Sequence, residues 1–301
     1  MIERIVVPLD GSALAEEILP HVRKVLRRAD SEVFLVRAVI PAPGEDAMVL
    51  AEAALGAARE YLERVQDRLV EQGVRVTARA LVGSAARVIL DVTQQDGATM
   101  IAMATHGQTG LKRLLLGSVA ENVLRKSPVP VLVVRPFWSY ELLPRWTEKA
   151  EDRPIRTILL PLDGGRLSSA IVPPATEMAT LFSSRVILLR VVEPKDKRGR
   201  DDGTTSVAHL NRFSLALEMR GLETVSMVRQ GKPAQKILEA ARAHEADLIA
   251  MATHGRSGLS RLVSGSVTEK VLREAPCPML VVRPAKSARP MKRISKECVG
   301  R

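Results

Sequence analysis

The chain repeats itself, and this duplication constrains its fold more than any other feature of the sequence. A segment that begins IAMATHG at Ile101 returns from Ile249, and over 36 positions the two versions are identical at 25. Earlier in each copy, ERIVVPLDGS is matched by RTILLPLDGG, so that Asp10 corresponds to Asp163. Repeats this similar form the same structural unit, because each carries the same pattern of apolar and turn residues. The sequence therefore predicts two copies of one fold.

Each copy alternates short β-branched runs with longer amphipathic stretches, a pattern typical of βαβ units around a parallel sheet. The clearest helix should run from about Glu45 to Gln72, and its shorter counterpart from about Ser206 to Arg220. The expected fold class is α/β, with two tandem open parallel five-stranded sheets and helices on both faces. In the first copy we predict strands near 4–9, 33–39, 74–81, 99–104 and 131–135.

The segment between the copies is rich in aromatic residues. It contains both tryptophans, Phe137 and Tyr140, which together are half of the aromatic residues in the chain. We expect these side chains to pack against one or both domains, and a plain flexible linker is the alternative. The predicted organisation is a first domain at 1–136, an aromatic linker at 137–154, a second domain at 155–284 and a basic tail at 285–301.

Composition and charge argue against several classes of protein. The net charge of +11 lies in the second copy and the tail, and the tail holds six basic residues and one acidic residue. Only 3% of residues are aromatic, which leaves few platforms for stacking bases, so we do not expect nucleic-acid binding. No apolar run of about 18 residues or secretion signal is present, so we expect no membrane association and a cytoplasmic location. Cys277 and Cys298 lack the spacing of a disulfide framework or a zinc site.

Two turns in each copy follow strands, where open parallel sheets bind their ligands at the carboxyl ends. In the first copy these are PLDGS, which contains Asp10, and ATHG at 104–107. Gly117 and Ser118 then open an amphipathic run, where free backbone N–H groups and the helix dipole favour an anion. Aspartate and serine are also common turn and N-cap residues that stabilise a helix by about 1 kcal/mol without any ligand. Retention of both turns at the same spacing in both copies favours two sites for a phosphate-bearing ligand.

At these residues the chain resembles the universal stress protein family. Its nucleotide-binding members carry an aspartate after the first strand and G-x2-G-x9-G-[ST] after the fourth. Here the longer motif reads A-T-H-G-x9-G-S in both copies, and the resemblance covers nearly everything except linker and tail. It implies a Rossmann-like sheet of strand order 3-2-1-4-5 and an adenine nucleotide, ATP or alternatively AMP or ADP, with Mg2+ accompanying it.

Carried over position by position, the resemblance implies one site in each copy. Asp10 and Asp163 would contact the adenosine, and Val39 and Val192 would offer backbone groups to the adenine. The glycines and serines of the longer motif would surround ribose and phosphates. The first set is Pro8, Asp10, Gly11, Ser12, Val39, Ala104, Gly107, Gly117, Ser118 and Val119. The second set is Pro161, Asp163, Gly164, Val192, Ala252, Gly255, Gly265, Ser266 and Val267.

Two departures from the family pattern bear on binding. Alanine replaces the first motif glycine at Ala104 and Ala252, which weakens binding if the ligand needs close backbone approach or a positive φ there. Gly165 stands where Ser12 supplies a hydroxyl in the first copy, so the first site is the stronger expectation.

The sequence lacks the motifs of fast chemistry. It has no P-loop, no G-x-S-x-G nucleophile turn and no H-E-x-x-H helix, so we expect no enzyme activity, with weak ATP hydrolysis as an alternative. His106 and His254 are interpreted as turn residues in preference to a catalytic role. Lys112, Arg113 and Arg261 could neutralise phosphate, although exposed helix charges are the commoner explanation.

The closing strands, VPVLVVRP and CPMLVVRP, are strongly apolar and should lie at sheet edges, where they invite pairing with another strand. In the family these strands join two units, so the resemblance implies that the two copies form one pseudo-two-fold pair, and a homodimer of chains is a further expectation. The expected function is nucleotide-dependent stress response or regulation with an unknown protein partner. A dimerising interaction scaffold that has lost nucleotide binding is the alternative.

Overall fold

The fold is described from a computed structural model, which covers residues 2–26, 31–40, 47–105, 116–135, 154–193, 204–253 and 266–284. The basic tail and all but the last residue of the linker lie outside these ranges, so the packing of the linker aromatics stays a prediction.

The two copies contain the same series of elements. The first copy has β1 (Arg4–Pro8), α1 (Ala13–Glu16), α2 (Leu19–Val25), β2 (Glu32–Val39), α3 (Ala47–Val70), β3 (Arg75–Val82), α4 (Ala85–Gln95), β4 (Met100–Ala104), α5 (Ser118–Lys126) and β5 (Val131–Val134). The second has β6 (Thr157–Pro161), a 3-10 helix (Ser168–Ile171), α6 (Val172–Phe182), β7 (Arg185–Val192), α7 (Thr204–Glu218), β8 (Thr224–Gln230), α8 (Pro233–Ala243), β9 (Leu248–Ala252), α9 (Ser266–Glu274) and β10 (Met279–Val282).

All ten strands belong to one sheet, in the order β3-β2-β1-β4-β5-β10-β9-β6-β7-β8. Within each copy neighbouring strands are parallel, and the order 3-2-1-4-5 is the predicted one. The prediction of an α/β fold with two parallel sheets is thus confirmed. The two sheets meet edge to edge, because β5 and β10 pair antiparallel.

The junction between the copies is built on the closing strands. Leu132 lies opposite Leu280, and these two residues occupy the same position in their respective copies. On either side of them, Val131 pairs with Val281 and Val133 with Met279. A pseudo-two-fold axis therefore passes between the two leucines, as expected from the apolar edges of the two sheets.

The apolar core is continuous across this junction. Strand side chains point alternately to the two faces of the sheet, and each face carries one buried cluster that contains residues from both copies. Leu132 and Leu280 belong to one cluster, whereas Val133 and Met279 belong to the other. Because both clusters extend through the β5–β10 pair, the two copies share their core.

Two arginines, one after each closing strand, form hydrogen bonds across the junction. Arg135 follows β5 and donates to the backbone carbonyl of Arg273 in the last turn of α9. Arg283 occupies the equivalent position after β10 and donates to the carbonyl of Lys126 at the end of α5, at 3.3 Å. Cations at helix C-termini interact favourably with the exposed carbonyls and the helix dipole. Each copy therefore caps a helix of the other.

Leu132→Ala should destabilise the chain by about 2–5 kcal/mol, because it leaves a cavity at the centre of the junction where Leu132 is 2% exposed. Leu215→Ala is the matched control, since Leu215 on α7 is 60% exposed. Urea unfolding measures both free energies of unfolding. Equal effects of the two substitutions would contradict a shared core at this position.

Helix α2 of the first copy faces the second copy across a small cavity of about 10 Å³, which has room for about one water molecule. His21 and Lys24 line it from α2, Asp247 and Pro278 line it from the second copy, and Pro154 lines it from the end of the linker. Burial, and to a smaller extent the neighbouring charge of Lys24, lower the pKa of His21 from 6.5 to about 3. The folded chain therefore keeps His21 neutral.

This depressed pKa makes stability depend on pH. Between about pH 6.5 and pH 3 the unfolded chain binds a proton at His21 that the folded chain does not, so the free energy of unfolding should fall as the pH is lowered through this window. His21→Gln should lose less stability between pH 7 and pH 5 than the wild-type chain does. Urea unfolding at both pH values measures the difference, and identical losses would show that His21 is not responsible.

Candidate functional site

The two turns predicted to bind ligand lie at the same edge of the sheet in each copy. Strands β1 and β4 are adjacent and parallel, and Ile5 pairs with Met100. The polypeptide therefore leaves the sheet at the same end after each of the two strands. Helix α1, which follows the first turn, contacts β4. In the second copy β6 and β9 are adjacent in the same way, and the 3-10 helix contacts β9. We call this side of each copy its ligand edge.

The aspartate after the first strand organises its own turn. Asp10 Oδ1 accepts hydrogen bonds from the backbone N–H of Ser12 at 2.9 Å and from the Ser12 hydroxyl at 2.6 Å. Ser12 Oγ in turn accepts from the backbone N–H of Ala15 at 3.1 Å and caps α1. Gly11 between them has φ +90°, which favours glycine. The turn is therefore pre-formed, with the carboxylate fixed at the ligand edge.

The second copy keeps the aspartate but not the cap. Asp163 Oδ1 accepts from the backbone N–H of Gly165 at 2.8 Å, and Gly164 has φ +76°. With no hydroxyl at Gly165, the chain continues into the 3-10 helix, where Ser168 and Ser169 donate to the Gly165 carbonyl. The aspartate turn is thus common to both copies, and only the first has the serine-capped helix.

The second turn closes on Gly117. The backbone N–H of Gly117 donates to the carbonyl of Thr105 at 3.0 Å, and this bond joins the two ends of the loop after β4. Gly117 has φ −60° and ψ 143°, which any residue can adopt, but a Cβ atom there would lie 2.7 Å from the Thr105 oxygen. Glycine is required for space. Gly117 is also the N-cap of α5 and gives its first turn no side-chain cap, so backbone N–H groups there point toward the ligand edge.

Ser118 and Ser266 are the first residues of α5 and α9, and both side chains are exposed. Val119 and Val267 follow them and pack, half-buried, against the core. The serine hydroxyl of the motif is therefore at the surface, and the valine that follows it packs the start of the helix against the core.

The valines proposed to contact adenine already use their carbonyls. Val39 O accepts from the N–H of Gly83 at 2.9 Å, and Val192 O accepts from the N–H of Gly231 at 3.0 Å. A carbonyl oxygen has two lone pairs, so one remains for a base. The same bond in both copies fixes the end of the second strand against the turn that follows the third.

The alanines that replace the first motif glycine sit in regular strand structure. Ala104 pairs with Val134 and Ala252 with Val282; both alanines are buried and neither has a positive φ. The backbone at these positions therefore needs no glycine. Of the two conditions under which the alanine would weaken binding, only close approach of the ligand remains.

Several predicted residues lie outside the described ranges: Gly107, Gly255, Gly265, His106, His254, Lys112, Arg113 and Arg261. Pro8 and Pro161 are described and end β1 and β6 immediately before the aspartate turns. Within the part of the chain that the structure describes, no group of three or more His, Cys, Asp or Glu side chains is arranged to hold a metal ion. None of the helices described there is long and apolar enough to cross a membrane.

One group of side chains beside the aspartate turn was not predicted from the sequence. Arg37 on β2 lies against Gly11, and its guanidinium carbon is 5.0 Å from the centre of the Tyr61 ring on α3. Glu16 accepts hydrogen bonds from Tyr61 and Arg68. The available signal was a charged residue inside an apolar strand in both copies, FLVRAV and ILLRVV.

Comparison with known proteins gives consistent results for both copies. A family model described as "Universal stress protein family" matches residues 1–135 and 154–283. A universal stress protein of Methanocaldococcus jannaschii is 34% identical over 140 residues, covering 44% of this chain and 82% of that protein. One from Mycolicibacterium smegmatis is 24% identical and covers 93% of this chain and 97% of its own length. The crystal structure of a universal stress protein from Archaeoglobus fulgidus has a TM-score of 0.74 at 21% identity, covering 94% and 99% of the two chains, which supports the fold.

Gly117→Ala should destabilise the chain by about 1–3 kcal/mol, because the new methyl group pushes α5 away from Thr105. Gly56→Ala is the matched control. It lies inside α3 with no atom within 4 Å of the new Cβ, and it should stabilise by about 0.5–1 kcal/mol. Thermal and urea unfolding of both variants test this, and a neutral or stabilising Gly117→Ala would show that the contact with Thr105 is not tight.

Proposed function

The chain belongs to the universal stress protein family, and on this premise we propose that it binds an adenine nucleotide, ATP before AMP or ADP, at the ligand edge of each copy. In this proposal it acts as a nucleotide-dependent stress or regulatory protein.

The observation that carries the proposal is that the pre-formed Asp10 turn and the start of α5 at Gly117 lie at the same edge of the sheet. The Asp10 turn, after β1, presents a fixed carboxylate. Gly117 opens α5, whose first turn has no side-chain cap, in the connection that follows the neighbouring strand β4. A carboxylate suits the hydroxyl groups of a ribose, because it accepts hydrogen bonds only. Uncapped N–H groups at a helix start suit phosphate oxygens. The two chemistries side by side fit a phosphorylated nucleoside better than either part alone.

The valine carbonyls extend this fit to the base. Val39 is the last residue of β2, two strands away from β4, so base, ribose and phosphates would follow one another along the ligand edge. The remaining lone pair of its carbonyl can accept a hydrogen bond from the amino group of adenine. The second copy offers the same series through Val192, Asp163 and α9.

Mg2+ would depend on the nucleotide. Because the described residues include no cluster of three ligating side chains, the ion would be held mainly by phosphate oxygens, as Mg2+ in nucleotide sites commonly is. We therefore propose Mg2+ as an accompanying ion and not as a separate site.

Bound phosphates would connect the two turns and stabilise their relative position. A protein partner that recognises this surface could then distinguish the bound chain from the free one, since a ligand shifts a population only through differential affinity. Weak ATP hydrolysis and the interaction scaffold remain the alternatives, and the cytoplasmic location and the homodimer stay predictions.

Protein purified without added nucleotide should release adenine nucleotide on denaturation, identified by chromatography and mass spectrometry. Millimolar ATP should raise its melting temperature, because ligand that binds only the folded state stabilises it. Asp10→Asn should weaken ATP binding by about tenfold, the cost of a lost charge-assisted hydrogen bond. Asp91→Asn is the control, since the Asp91 side chain on α4 is 52% exposed.

Two equivalents of nucleotide per chain would mean that both alanine-bearing motifs bind, and one would point to the first site. No released nucleotide and no thermal shift with any adenine nucleotide would contradict the proposal and favour the scaffold.

A further inference from the structure

The Arg37 guanidinium lies beside both the aspartate turn and an aromatic ring. A Cβ atom on Gly11 would be 3.1 Å from Cζ, Nη1 and Nη2 alike, so the plane of the guanidinium faces the glycine of the aspartate turn. The ring of Tyr61 lies at cation–π distance. A guanidinium carries its five N–H donors around the edge of its plane. The contacts with Gly11 and Tyr61 therefore position the group without a hydrogen bond from those donors.

The neighbouring acid is engaged elsewhere. Glu16 Oε1 accepts from the Tyr61 hydroxyl at 2.9 Å, and Glu16 Oε2 accepts from Arg68 at 2.6 Å. Burial and the hydrogen bond to Glu16 raise the pKa of Tyr61, so its hydroxyl stays a donor to Glu16. Among the residues that the structure describes, Arg37 receives an aromatic face and a glycine but no hydrogen-bond acceptor. The surrounding side chains position the cation and leave its donors for another group.

The second copy has an arginine at the same strand position in a different setting. Arg190 is 4% exposed, and its Nε donates to Ser206 on α7 at 3.4 Å. Tyr61 is replaced there by His209, which packs edge-to-face on Phe213. Ser169 and Ala216 occupy the positions of Glu16 and Arg68, so the tyrosine and the ion pair beside Arg37 have no counterpart in the second copy. Arg190 on β7 is buried beneath α7, whereas Arg37 on β2 stays half-exposed beside the aspartate turn.

We infer that Arg37 is a ligand-contacting residue of the first copy, whose guanidinium edge binds a phosphate of the nucleotide, and that the second copy lacks this contact. The inference rests on the proposed function. It makes the first copy selective for phosphorylated nucleosides over nucleosides, because a guanidinium forms its strongest hydrogen bonds with an anionic acceptor. It also offsets the negative charge of Asp10, which would otherwise repel the phosphates.

The test is isothermal titration of the full chain with adenosine, AMP and ATP, followed at the site that Asp10→Asn weakens. Arg37→Gln should lower the affinity for AMP and ATP by about tenfold or more and change the affinity for adenosine by less than about twofold. Arg68→Gln is the matched control. It removes the same charge from the same cluster, but from a side chain 56% exposed, and should change all three affinities by less than about twofold.

Arg37→Lys tests whether the planar shape of the guanidinium matters. It also provides a second variant should Arg37→Gln fail to fold. It keeps the charge but not the planar fork, so its loss of AMP affinity should be smaller than that of Arg37→Gln. Equal losses for adenosine and AMP in Arg37→Gln, or equal losses in Arg37→Gln and Arg68→Gln, would overturn the inference. If the wild-type chain binds ATP and Arg37→Gln binds AMP and ATP with the same affinities, the inference is overturned and the proposed function stands. Failure of the wild-type chain to bind any nucleotide would overturn both.

Discussion

The antiparallel pairing of β5 with β10 is the interaction on which the rest of the structure depends. Each copy alone would expose an apolar edge strand and the end of its core. Pairing Leu132 with Leu280 removes both edges at once and makes the apolar clusters on the two faces of the sheet continuous. Because the partner strand is in the same chain, the association has no concentration dependence, and Arg135 and Arg283 can each cap a helix of the other copy.

This junction leaves both ligand edges at the surface. The strands of the two copies run in opposite directions. The carboxyl ends of the strands in one copy therefore point the opposite way, along the strand direction, from those in the other copy. Each edge is then built locally by hydrogen bonds within its own turns, such as those of Asp10 with Ser12 and of Thr105 with Gly117. The turns at each ligand edge are therefore formed without hydrogen bonds to the other copy.

Within this common frame the two copies have diverged where a side chain, and not the backbone, decides the chemistry. The aspartate turns, the positive φ of Gly11 and Gly164 and the glycine bonds to the strand-end valines are alike. The cap at Ser12 and the setting of Arg37 occur in the first copy alone. Side chains at the ligand edge can differ in this way because the sheet and its core are stabilised by other residues, so both copies keep the same fold.

The sequence by itself determined the repeated unit, the α/β class, the strand order through its family resemblance, and the turns that carry Asp10 and Asp163. These follow from local patterns: β-branched runs, helical periodicity, and glycines that punctuate them. Only the tertiary structure decided that the two sheets form one, that Gly117 is needed for space against Thr105, and that Arg37 lies near both Gly11 and Tyr61. Each of these joins residues far apart in the chain, and a local pattern carries no information about which distant atoms will meet.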